Sequence, residues 1–301
     1  MSGPVRSSRA ARLGWSALGV PAFRVLFGTS LATSTAAFML SAGISWSALV
    51  AAGTSAGVAF VGFCFALPYT LLTLHAGLFT DRYGGRRMLA LSLALSGSAT
   101  IAVGVASVTW GVPYAAIAGA AFVIGTLSAI GSPASMTLAN DLVPPGLVPS
   151  AMTLVWLSVN IGRVAGGALA ALTLAILPGG FTLAIAGLVN ALAAIPIVRL
   201  PVAAPARPDH PATALIGPLR DAAAHAFRDP ALRALFGLTT AVGVLGLAFN
   251  YQLPVVTREL GAEAGGYGIL VAAVGVGGLL AGSVAERLMR RAGTGRVVAG
   301  G

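Results

Sequence analysis

The chain has 301 residues, of which 57% are hydrophobic and only 9% charged, and its formal net charge is +10 at pH 7. Apolar residues exceed what the core of a soluble protein of this length needs, which excludes an ordinary globular domain and indicates an integral membrane protein. The positive charge does not indicate nucleic-acid binding, because the arginines cluster between apolar runs, where they determine membrane topology.

Eight apolar runs are each long enough to cross the hydrocarbon core of a bilayer as a helix, which takes about 20 residues. They lie near residues 23–50, 57–79, 88–109, 112–137, 150–175, 181–200, 231–254 and 266–285. Breakers rich in glycine and proline separate them, such as Trp110-Gly111-Val112-Pro113 and Pro144-Pro145-Gly146. The sequence therefore predicts an all-α integral membrane protein with about eight transmembrane helices in contact with the lipid bilayer.

The arginines predict how these helices are oriented. Clusters before the first run, after the second, between the sixth and seventh and after the eighth share one side of the membrane. Of the 18 arginines, all but Arg163 within a span and Arg258 on the opposite side agree. The positive-inside rule then predicts a multi-pass plasma-membrane protein with both termini in the cytoplasm. A cleaved signal peptide is the alternative for the first run, but that run is too long and further spans follow.

A charged motif joins the second run to the third and predicts a short cytoplasmic loop. Its residues, in the order Gly-x-x-x-Asp-Arg-x-Gly-x-Arg-Arg, are Gly77, Asp81, Arg82, Gly84, Arg86 and Arg87. The motif resembles the loop between helices 2 and 3 of the major facilitator superfamily of secondary transporters. It partly recurs at the end of the eighth run, in Gly282, Glu286, Arg287, Arg290 and Arg291. Such a repeat is typical of transporter folds built from duplicated bundles.

The fifth run extends the resemblance to the branch of the superfamily that includes macrolide and siderophore exporters. Asn160, Arg163 and the pair Gly166-Gly167 resemble the fifth helix of that branch. The chain departs from the family pattern at Ala165, where a proline often precedes the paired glycines, and at Gly85, where the loop motif usually has a basic residue.

The resemblance implies a major facilitator-type helical bundle, of whose usual twelve helices this chain has about eight. It also implies export of a small organic molecule by alternating access, with protons as the coupling ion. The alternative is a non-transporting fragment of such a transporter or a membrane interaction protein. The predicted divisions are a cytoplasmic arm 1–22, an N-terminal six-helix bundle 23–200, a cytoplasmic interdomain loop 201–230 and a partial C-terminal bundle 231–301.

Two charged positions have a functional and a structural interpretation. In the family the motif around Asp81 acts as a latch between the bundles, and the alternative is an ordinary loop with a solubilising aspartate. Arg163 lies near the middle of a span, where an arginine costs at least ~2.5 kcal/mol on insertion scales. It either contacts substrate or a gate, or pairs structurally with backbone carbonyls or with Asn160.

The remaining candidate residues concern helix packing and protons. Gly162, together with the Gly166-Gly167 pair, forms a small-residue stripe that predicts close approach of another helix, with gating as the functional extension. No Asp or Glu lies in the middle of a predicted span, so proton coupling falls to His75 or Asp81. An interfacial histidine without a transport role is the alternative for His75.

The sequence contains no metal-ligand cluster, no set of residues typical of nucleophilic catalysis and no P-loop. It therefore predicts neither an enzyme nor a bound cofactor.

Overall fold

The computed structural model describes residues 15–201, 252–261, 266–267 and 269–278, together with 228, 230, 233, 234, 237 and 280. Within residues 15–201 there are six long helices: α1 (Pro21–Ala52), α2 (Ser55–Tyr83), α3 (Gly85–Thr109), α4 (Tyr114–Asp141), α5 (Val148–Ile176) and α6 (Gly179–Val198). Short 3-10 helices, Ser16–Gly19 and Pro145–Leu147, precede α1 and α5. Further along the chain, residues 252–259 and Ile269–Gly278 are also helical.

All six long helices contain a stretch long and apolar enough to cross a membrane, and they coincide with the first six predicted spans. The all-α prediction is thereby confirmed. The predicted seventh span lies largely outside the described residues, whereas the described residues of the predicted eighth span, 266–267, 269–278 and 280, are all helical. The described residues 252–259 are helical and include residue 254, near which the seventh span is predicted to end.

The predicted short loop between α2 and α3 is wrong in extent, because it is reduced to the single residue Gly84. Its φ of 87° lies in the region that glycine adopts without steric cost, so one residue suffices to break the helix. The motif residues Asp81 and Arg82 therefore lie in the last turn of α2, and Arg86 and Arg87 in the first turn of α3.

Most of the main packing pairs join helices that are not neighbours in the sequence. These pairs are α1 with α5, α1 with α6, α2 with α4, and α3 with α6. The consecutive helices α3 and α4 also pack against each other. The α3–α6 pair shows why so close a packing forms. Gly97 faces Gly187, and a Cβ on either would lie 2.7 Å from the carbonyl oxygen of the other. Gly104 and Gly180 form an equivalent pair. Small residues let backbones touch, and this packing replaces the hydrophobic drive that a bilayer does not supply.

Two buried apolar clusters lie at opposite ends of the six-helix unit. One surrounds the first turns of α1 and the last turn of α4, and the other surrounds the last turns of α1 and the first turns of α2. The described residues Leu253, Tyr267 and Val271 belong to the second cluster only. These three later residues therefore pack on the six-helix unit at the end where α1 finishes.

Candidate functional site

Among the described residues, α5 and Ile269–Gly278 approach each other closely enough for their backbones to touch. A Cβ on Gly167 would lie 2.6 Å from the backbone nitrogen of Ala272. A Cβ on Gly275 would lie 2.9 Å from the backbone nitrogen of Val164. Each helix thus supplies a glycine that faces the backbone of the other, and a side chain at either position would separate them.

The other two glycines of α5 face a different helix. A Cβ on Gly162 would lie 2.8 Å from the backbone nitrogen of Thr35, and one on Gly166 would lie 2.8 Å from Cβ of Phe38. Both contacts are with α1. The single small-residue stripe expected from the sequence is therefore divided between two partners, with Gly162 and Gly166 towards α1 and Gly167 towards Ile269–Gly278.

Arg163 lies where these three helices meet. It is 15 residues from the start of α5 and 13 from its end, so it sits near the middle of the span. Its guanidinium carbon lies 5.0 Å from the centroid of the Phe38 ring on α1. Its Nη1 lies 3.5 Å, and Oδ1 of Asn160 3.8 Å, from the point where a Cβ on Gly278 would sit. The ring contact stabilises the charge by about 0.5–2 kcal/mol, depending on desolvation.

The hydrogen bonding of Arg163 is incomplete. Its Nε is buried and has no hydrogen-bond partner among the described residues, so neither a described backbone carbonyl nor Asn160 accepts from it. The side-chain amide of Asn160 instead donates to the carbonyl of Trp156, one turn earlier, at 3.0 Å. A buried unmet donor on a charged group costs free energy. The structural pairing with a backbone carbonyl or with Asn160, which was the alternative predicted from the sequence, is therefore absent at Nε.

At the end of the molecule where α1 finishes, the later part of the chain holds the α1–α2 connection. Nη1 of Arg258 donates to the carbonyl of Gly53 at 3.2 Å. The rings of Trp46 and Tyr267 stack with centroids 6.0 Å apart, and Tyr267 is 1% exposed. We call these four residues the outer contact, because the positive-inside rule predicts that this end of the molecule faces the outside. In the sequence, Arg258 stood out only as an arginine that departs from the positive-inside rule. Nothing in the sequence distinguishes Trp46 from other aromatic residues of apolar spans.

The charged motif lies at the opposite end. Nη1 of Arg86 donates to the carbonyl of Leu200 at 2.6 Å, which ties the start of α3 to the end of α6. A Cβ on Gly85 would lie 2.9 Å from the carbonyl oxygen of Ala134 on α4. This contact explains why a glycine occupies a position that is usually basic in the family.

The other motif residues make fewer contacts. The Arg82 guanidinium lies 5.5 Å from the centroid of the adjacent Tyr83 ring, and a Cβ on Gly77 would meet open space. Arg87 is exposed. The side chain of Asp81 lies outside the described part of the structure.

His75 is exposed on α2, where its Nδ1 lies 3.2 Å from the carbonyl oxygen of Leu71 one turn earlier. The motif repeat Gly282 to Arg291 lies outside the described residues. Among the residues that the structure does describe, no group of three or more His, Cys, Asp or Glu side chains is placed to hold a metal ion.

Comparison with known proteins shows which family this chain is similar to. The sequence profile of a major facilitator family described as transmembrane secretion effector matches residues 13–301. The chain is 28% identical over 199 residues to the multidrug efflux pump Tap of Mycobacterium tuberculosis (strain ATCC 25618 / H37Rv) and to that of Mycobacterium bovis (strain BCG / Pasteur 1173P2). The match covers 63% of this chain and 46% of each pump, so the chain spans about half the length of these relatives.

Two solved structures share the fold. A bacterial homologue of the human lysosomal transporter Spinster, inward-facing and unoccupied, matches with a TM-score of 0.63 at 21% identity. This match covers 90% of the present chain and 64% of the Spinster homologue. The D-xylose-proton symporter matches with a TM-score of 0.63 at 16% identity, covering 91% of the present chain and 69% of the symporter.

Proposed function

The chain belongs to the transmembrane secretion effector family of the major facilitator superfamily, and on this basis we propose that it exports a small organic molecule by alternating access. It is a multi-pass membrane protein whose family and fold are those of membrane transporters. Protons are the proposed coupling ion.

The observation that carries this proposal is the meeting of α1, α5 and Ile269–Gly278 around Arg163. Substrate sites of such transporters lie near the bilayer midplane between two bundles. Arg163 is near the middle of its span, and its neighbours come from both the six-helix unit and the later part of the chain. A charged residue at this depth is by default a hypothesis of a functional site.

The outer contact and the contact between Gly167 and Ala272 support a two-state mechanism. Both join the six-helix unit to the later part of the chain, and both involve few side chains. We propose that residues 23–200 form one rigid bundle and that residues 231–301 belong to the second, with 1–22 and 201–230 as cytoplasmic arm and loop. In the described state the two bundles are closed where α1 finishes. With both termini in the cytoplasm of a plasma-membrane protein, that end is the outer one.

The motif at the inner end is proposed to latch the bundles together in the other state. Arg86 is already bound to the end of α6 inside the six-helix unit, so it acts as an anchor of the motif. The latch itself falls to Asp81, Arg82 and Arg87 at the ends of α2 and α3. Proton coupling is assigned to Asp81 or to His75, whose exposed ring is open to exchange.

The experiment is transport by the reconstituted chain in proteoliposomes, with anionic, neutral and cationic fluorescent molecules as probes. We expect at least one probe to move, faster under an imposed pH gradient, and to stop moving in Asp81→Asn. His75→Gln is the matched variant, since it distinguishes coupling at the histidine from coupling at the motif. If correctly inserted protein moves no probe, the export function is wrong for this chain.

A further inference from the structure

Arg163 bears a positive charge that no carboxylate of the six-helix unit is placed to balance. Between residues 21 and 198 the acidic residues are Asp81 and Asp141, which lie in the last turn of α2 and at the last residue of α4. Arg163 lies near the middle of α5. A cation at this depth for which the six helices supply no counter-charge favours the binding of an anion.

The surroundings of Arg163 leave part of its hydrogen-bonding capacity unused. The Phe38 ring contacts the guanidinium but accepts no conventional hydrogen bond, and Nε is buried without a partner among the described residues. A neutral carbonyl would satisfy such a donor, but only an oxyanion satisfies the donor and balances the charge together. Guanidinium groups bind carboxylates, phosphates and sulfonates through paired hydrogen bonds.

Gly278 controls access to the guanidinium of Arg163. Gly278 has no side chain, and a Cβ there would lie 3.5 Å from Nη1 of Arg163. Movement of Ile269–Gly278 away from α5, which alternating access requires, uncovers the guanidinium on this side. The site therefore opens and closes with the contact between Gly167 and Ala272.

We propose that the transported molecule carries an oxyanionic group that binds Arg163, an inference that rests on the proposed export function. Phe38 holds the guanidinium plane, and Asn160 lies beside the same site. Selectivity for an anion then comes from this one cation, because the six helices supply no competing carboxylate near it.

The test uses a matched pair of dyes that differ only in the group of interest. Rhodamine 110 has a free carboxylate, and rhodamine 123 is its methyl ester. We expect the protein to bind and export rhodamine 110 with a preference of about tenfold over the ester, since one charge-assisted hydrogen-bond pair accounts for that ratio. Arg163→Gln brings the preference close to one, and Arg163→Lys, which keeps the charge without the planar fork, retains part of it.

Binding to the purified protein is measured by fluorescence anisotropy, and transport is measured in proteoliposomes. Arg163-dependent binding of rhodamine 110 without transport of any probe supports the anion site and contradicts the export function. Transport of both dyes at equal rates supports export and overturns the anion site. Absence of Arg163-dependent binding of the carboxylate also overturns it. Arg163→Lys keeps the test decisive if Arg163→Gln does not fold.

Discussion

Adding one methyl group at Gly167 tests whether α5 and Ile269–Gly278 separate during function. In Gly167→Ala the new Cβ lies 2.6 Å from the backbone nitrogen of Ala272, whereas ordinary contact begins at 3.4 Å. The two backbones must therefore separate by 0.8 Å, the difference between these distances. Overpacking of this kind costs about 1–3 kcal/mol.

This cost falls only on the state in which the two helices touch. If the contact opens during transport, the same energy shifts the equilibrium towards the open state by about 5–150-fold. Gly162→Ala is the matched control, because its Cβ would lie 2.8 Å from the nitrogen of Thr35 on α1. Both helices of that pair belong to the six-helix unit, so the cost falls on folding in either state.

A cysteine beside the outer contact reports the equilibrium, at Leu253, which lies in the same buried cluster as Tyr267. Leu253→Cys, in a background in which the native Cys64 is replaced by serine, places a thiol at a position that is 3% exposed. We expect Gly167→Ala to raise the rate of maleimide labelling of this thiol by about fivefold or more. Gly162→Ala is expected to lower the melting temperature and leave the labelling rate unchanged. If Gly167→Ala lowers the melting temperature without faster labelling, the contact is a fixed part of the fold and the reasoning fails.

Three further predictions concern single side chains. Asp81→Asn is expected to impair transport with membrane insertion intact, because the proposed latch acts in switching between the two states; normal transport by inserted protein refutes the latch. Arg86→Gln removes a charge-assisted hydrogen bond to the carbonyl of Leu200. It is expected to lower the free energy of unfolding by about 1–2 kcal/mol, measured by thermal denaturation, and an unchanged melting temperature contradicts this. Arg258→Gln weakens the bond to the carbonyl of Gly53. It is expected to raise the rate of maleimide labelling of the thiol in Leu253→Cys. An unchanged rate shows that the stacked rings of Trp46 and Tyr267 are enough to keep the outer contact closed.

The sequence predicted the membrane spans well because spanning depends on a local sum. Apolar runs of about 20 residues insert whatever they later contact, so α1 to α6 follow from composition along the chain. The helix ends were harder to predict. Residues 80–87 carry the charges expected of a loop, yet all but Gly84 are helical, because a single residue with positive φ makes the break.

The candidate site also has features that the sequence predicts and features that only the fold decides. An arginine in the middle of a span is visible in the sequence, because its cost depends on depth alone. The ring of Phe38 beneath it and the lack of a partner for Nε depend on α1 and Ile269–Gly278, which are far from Arg163 along the chain.

The sequence by itself thus determined the all-α membrane fold, the family and the positions of the charges. Only the tertiary structure decided which glycine faces which helix, why Gly85 replaces a basic residue, and that Arg258 holds the end of α1. The physical reason is one of range. Membrane insertion depends on a sum of transfer free energies over neighbouring residues. These contacts instead depend on differences of a few tenths of an ångström in the separation of backbones that meet only after folding.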